Sequence, residues 1–147
     1  MTMQAALVVR RSVTVNVPPE RAFEVFTTDI ATWWPVATHS VADGTPVFEP
    51  RVGGRLVERD GETEHFWARI VEWEPPHRLA FEWKVNPEAA ASTDVEVTFT
   101  PEGDGTLVEL VHSGFERLGE RAPEEHRDYR GGWVVVLARY AEHANAA

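Results

Sequence analysis

Between Thr45 and about Ser113 the chain is cut into short extended runs by turn residues, and no helical pattern interrupts them. "RLAFEWKV" sets Leu79, Phe81 and Trp83 against Ala80, Glu82 and Lys84. "TDVEVTFTP" sets Val95, Val97 and Phe99 against acidic and threonine positions. Alternation with a period of two marks strands with one buried face. Gly53-Gly54, "DGE" at 60–62, Pro75-Pro76 and "EGDG" at 102–105 fall where such strands would turn. Six strands follow one another in this way, which predicts an antiparallel meander. A sheet of that size needs a cover, so what flanks the run decides the fold.

On the N-terminal side, "SVTVNV" points Val13, Val15 and Val17 one way and Ser12, Thr14 and Asn16 the other, adding a strand. "PPERAFEVFTT" follows, with prolines suited to a helix start and Ala22, Phe23 and Phe26 on one stripe. Thr28 or Asp29 can cap a second short helix in which Ile30 meets Trp33 and Trp34. From about Pro123 onward His126, Tyr129, Trp133, Leu137 and Tyr140 recur every three or four residues. Val134, Val135 and Val136 are poor helix formers, so burial must hold that helix, on more than one side through 133–138. The expected fold is α+β: a curved antiparallel sheet of about seven strands, two short helices and one long C-terminal helix. Residues 1–147 read as a single domain.

A helix is about 10 Å wide, whereas seven strands at about 4.8 Å spacing make a far broader face. Large side chains must fill the remainder, or a hollow is left. The inward candidates are bulky: Phe48, Trp67, Phe81, Trp83, Phe99, Phe115 and Trp133. With Leu56, Val97, Leu110 and Leu137 they form the expected lining. Trp33 and Trp34 diverge by about 100° on a helix, so one should pack on the sheet and the other roof the entrance.

The chain resembles the START/Bet v 1 superfamily with the helix-grip fold, in particular the activator of Hsp90 ATPase homologue group. The stretches that carry the likeness are "VNVPPERAFEVFT" with "WW", "FEPRVGGRL", "VEWEPPHRLAFEW", "VEVTFTPEGDGTLVELVHSGF" and "GGWVVVLARYAEH". They run from about residue 8 to 144. The resemblance implies a hydrophobic ligand cavity between sheet and C-terminal helix, with no conserved cofactor and no universal reaction.

His112 and Glu58 are the polar residues that parity turns inward, His112 with Val108 and Leu110, and Glu58 with Leu56. His112 reads as a ligand-binding or catalytic group, or as a core histidine paired with a backbone carbonyl or neighbouring strand. Ser113 faces the opposite side of its strand, which removes a Ser–His pair. If buried, Glu58 would either stay unpaired with a raised pKa, as a candidate general acid or base, or find Arg69 or Arg55 as a partner, but an exposed edge-strand glutamate is the expected fate. In "TEHFWARIVEWE" one face holds His65, Trp67, Arg69, Val71 and Trp73, the other Phe66, Ala68, Ile70 and Glu72, so Trp67 inward is one of two choices. His39 follows the tryptophans over the presumed opening. His77, His126 and His143 read as structural or surface.

Composition narrows the partners. No cysteine is present, which excludes disulfides, iron–sulfur clusters, thiolate zinc sites and a cysteine nucleophile. No two histidines sit at a metal-binding spacing, so neither metal nor cofactor is expected. A net charge of −10 repels phosphate backbones and anionic lipid, which argues against nucleic-acid binding. No apolar run approaches the roughly 18 residues of a membrane span, and the start lacks a signal-peptide pattern, so a cytoplasmic location is expected. The expected partner is a hydrophobic or amphipathic small molecule. A cyclase- or hydrolase-type enzyme using His112 and Glu58 is the alternative. A homodimer and an Hsp90-type chaperone partner stay open, with no docking face legible in the sequence.

Overall fold

The computed structural model describes residues 7–85 and 91–146; the reading of the first six residues lies outside them. In chain order the elements are β1 (Val9–Val15), α1 (Pro19–Phe26), a 3-10 turn (Ile30–Thr32), β2 (Thr45–Phe48), β3 (Arg55–Asp60) and β4 (Thr63–Glu74). Then come β5 (Arg78–Trp83), β6 (Thr93–Glu102), β7 (Gly105–Ser113), a second 3-10 segment (Phe115–Arg121) and α2 (Ala122–Ala146). The seven strands form one antiparallel sheet in the order β1-β7-β6-β5-β4-β3-β2. β2 through β7 are a meander, and β1 returns to pair with β7.

The helices differ in detail from their sequence signals. The second short helix is a single 3-10 turn with no side-chain cap, because Trp33 and Pro35 leave no room for a longer run of good helix formers. The segment before α2 is also 3-10, and Gly119 at φ 62° kinks it in two. α1 starts with Pro19 in its first turn and buries Ala22, Phe23, Val25 and Phe26.

α2 is tied to one edge of the sheet. Arg11 donates to the Arg130 carbonyl, the Val8 carbonyl meets His126, and the Asn16 amide donates to Asn145 Oδ1. These contacts lay α2 alongside β1, far from the β3–β2 edge. On the inner face, rings close one end of the space: Phe23 against Trp73 and Phe99, and Phe26 against Trp33 and Tyr140, at centroid distances of 5.0–5.7 Å. The Tyr140 hydroxyl donates to the Ala22 carbonyl at 2.8 Å and pins α1 to α2. The other end, over β4 and β5, is left to the loop after Trp34.

A candidate ligand site walled by four tryptophans

β4 does not keep one parity. Leu56 pairs with Ala68 and Val57 with Phe66, so Trp67 is an extra residue opposite β3. Ile70 pairs with Phe81 and Glu72 with Ala80, so Val71 is an extra residue opposite β5. Each bulge shifts the alternation by one. As a result Trp67, Ala68 and Ile70 are all buried, while Phe66, Arg69 and Val71 are exposed. The bulge turns the Trp67 indole into the space that α2 leaves uncovered.

Four indoles then form a closed circuit. Trp34 lies 5.0 Å from Trp67, Trp67 6.1 Å from Trp83, Trp83 5.4 Å from Trp133, and Trp133 6.2 Å from Trp34, ring centroid to centroid. They border a hollow of about 190 Å³ that is partly open to solvent. Val85, Tyr129, Gly132 and Val136 complete its floor and side, and Thr38, His39, Ser40 and Val41 its mouth. Three of the indoles are fixed by their N–H groups. Trp34 donates to the His39 carbonyl at 2.7 Å, Trp83 to the Tyr129 hydroxyl at 2.7 Å, and Trp133 to His112 Nδ1 at 2.9 Å. A wall fixed in advance loses little freedom when a guest enters.

Trp33 and Trp34 divide their work, but Trp33 packs between the helices where a sheet contact was expected. Trp33 packs on Phe26 and Tyr140 of the two helices and donates its N–H to the Val25 carbonyl at 2.6 Å. Trp34 faces the hollow.

His112 is completely buried behind Trp133 and does not border the hollow. An indole can only donate, so Nδ1 carries no proton and the neutral ring holds it on Nε2, 2.6 Å from Thr93 Oγ1. Burial drives the imidazole down to about 3, with Asp94 opposing and His126 assisting. Both nitrogens are occupied, by side chains rather than by a backbone carbonyl. His112 therefore fixes Trp133 in the wall.

Glu58 corrects an expectation. β3 is not an edge strand, and Glu58 is fully buried. Nor does arginine partner it: Arg55 pairs with Glu49 and Glu64. Its carboxylate instead accepts the backbone N–H groups of Val41, Ala42 and Gly44 at 2.7–2.8 Å. Burial alone would raise this carboxyl, but the three amides, helped by the nearby Trp67 indole, hold it below the usual range. The Trp67 N–H itself makes no hydrogen bond of good geometry. Gly44 is required here because a Cβ would strike the Arg59 carbonyl. Glu58 thus latches the loop that forms the mouth.

Of the expected lining, Trp34, Trp67, Trp83 and Trp133 border the hollow. Trp33, Phe48, Leu56, Val97, Phe99, Leu110, Phe115 and Leu137 are buried in the surrounding core, as is Phe81. Large rings fill most of the inner face, so the hollow is a fraction of it. Tyr129 and Val136 were within reach of the sequence, one turn from Trp133 on the α2 stripe. Thr38, Ser40, Val41 and Val85 lie on connections with no period to read. Among the described residues, no three histidine or acidic side chains gather as metal ligands, and no helix is long and apolar enough to cross a membrane.

Comparison with known proteins adds a family and several neighbours. The family described as "Activator of Hsp90 ATPase homolog 1-like protein" matches residues 16–144. No curated protein matches the chain. Among solved structures, an anthrahydroquino-γ-pyrone synthase, Txn09, is 38% identical over 92% of this chain and 95% of its own, with a TM-score of 0.61. CalC from Micromonospora echinospora, described as a self-sacrificing resistance protein, is 28% identical over 95% and 94%, with a TM-score of 0.74. The Aha1 dimer from Colwellia psychrerythraea shares the fold at 17% identity over 94% and 96%, with a TM-score of 0.68.

Proposed function

The chain belongs to the activator of Hsp90 ATPase homolog 1-like family, and from that premise we propose that it binds a flat, largely apolar aromatic small molecule. The observation that carries this is the circuit of four indoles around an open hollow of about 190 Å³. An apolar hollow of about 150 Å³ accommodates benzene, so this one takes a body of one or two fused rings, and a larger ligand extends through the mouth. Stacked and edge-on rings favour a planar guest over a branched aliphatic one. The likeness to Txn09, whose name describes a fused-ring product, supports the same ligand class.

That likeness also favours a second reading, in which the hollow guides a ring closure. His112 and Glu58 are both engaged by other protein groups, so the polar side chains at hand for such chemistry are His39 and Tyr129. The Aha1 neighbour, described as a dimer, supports a homodimer of this chain as well.

Native mass spectrometry against a panel of planar aromatics and matched aliphatics tests the proposal. One-to-one complexes should form with the aromatics at micromolar concentration. Equal retention of the aliphatics, or no complex with either set, contradicts it.

A further inference from the structure

The polar side chains around the hollow can be counted one valence at a time. The N–H groups of Trp34, Trp83 and Trp133 are donated to protein acceptors, and that of Trp67 lies near Glu58. Ser40 donates to the Val36 carbonyl and accepts from the Asp43 amide. Thr38 is spent on the Pro35 carbonyl and on His39 Nδ1. Beside the Trp67 N–H, which makes no hydrogen bond of good geometry, two side-chain valences remain among the described residues. One is His39 Nε2. The other is the hydroxyl hydrogen of Tyr129, whose oxygen accepts from Trp83 while its own O–H meets no acceptor.

The Tyr129 valence has a fixed sign. Burial pushes its phenol up to about 12, against the opposing hydrogen bond from Trp83, so it stays protonated across the physiological range. A phenol that accepts one hydrogen bond becomes a stronger donor of the next. This O–H has no protein acceptor, so a ligand carbonyl can take it without breaking a protein hydrogen bond.

We propose that Tyr129 is a specificity-determining residue that donates to a ring carbonyl, so the hollow selects aromatic ketones of the quinone or pyrone type over hydrocarbons of equal shape. This rests on the aromatic-binding reading and narrows it.

Chromone and naphthalene are each two fused six-membered rings, and chromone adds a ring carbonyl and a ring ether oxygen, of which the carbonyl is by far the stronger acceptor. Titrating both into the wild type and Tyr129→Phe by tryptophan fluorescence isolates that group. The Trp83 N–H freed by the change can donate to chromone alone, which works against the expected loss and cannot mimic it, so a fall in the ratio of affinities is the readout. Wild type should prefer chromone, and the variant should lower that preference about five- to tenfold, as one hydrogen bond commands. An unchanged ratio, or tighter binding of naphthalene by the wild type, overturns the proposal and leaves the aromatic site standing. Failure of both probes overturns both. Should the variant not fold, the infrared carbonyl band of chromone bound to the wild type decides: a shift to lower frequency than in cyclohexane is expected, and a hydrocarbon-like frequency refutes it.

Discussion

His112 is held between Thr93 and Trp133, with a single tautomer imposed by the indole donor. Its burial has a consequence for stability. The unfolded chain takes up a proton near pH 6.5 that the folded chain refuses until about pH 3. The stabilisation is therefore complete above 6.5 and is lost as pH falls toward 3. Between pH 7 and pH 5 this group alone removes about 2 kcal/mol. Urea unfolding at the two values should show that loss in wild type and a loss smaller by about that amount in His112→Gln. The same pH dependence in both chains would refute it. Strand parity made the inward direction of His112 legible. The neighbouring strand was legible as a source of one partner, which is Thr93 of β6, but Trp133 was not, because a ring 21 residues away on a helix leaves no mark on the period of β7.

The strands that keep a strict period, β5, β6 and β7, could be read residue by residue, down to Leu79, Phe81, Val95, Val97 and Phe99 facing in. β4 could not, since two bulges change its parity and neither has a composition signal. The loop between Trp34 and β2 was legible only as a connection. What shapes it is a carboxylate on another element, at the inward position that seemed least suited to a charge. Removing the Glu58 charge leaves three partly buried amides without an ionic acceptor, and glutamine would turn donors toward donors. Glu58→Gln should cost on the order of 3 kcal/mol and speed amide exchange at Val41, Ala42 and Gly44. A loss below about 0.5 kcal/mol, the usual range of a surface change, would show that the latch is not needed. The latch is also acid-sensitive. Its folded carboxyl lies below the unfolded value of 4.5, so its contribution is present above that pH and lost as acidification passes the lower, folded value.

At the scale of the molecule, one helix laid along β1 leaves the inner face over β4 and β5 to other means. Sequence patterning gave the order of elements and the excess of sheet over helix, because both follow from period and turn chemistry. The size of the hollow did not follow, because ring packing at the α1 end, where Phe23, Phe26, Trp33 and Tyr140 meet, depends on rotamers and on the cross-chain bond from Tyr140. Val136 offers the most direct test of where a guest sits, since it borders the hollow from α2 and is otherwise buried. A phenylalanine there would occupy the space while keeping the helix apolar. Titrating naphthalene into wild type and Val136→Phe, with tryptophan fluorescence as the readout, should give saturable quenching in the first and an affinity at least tenfold weaker in the second, with both chains folded. Equal affinity in the two would place the guest elsewhere and contradict a binding site between helix and sheet.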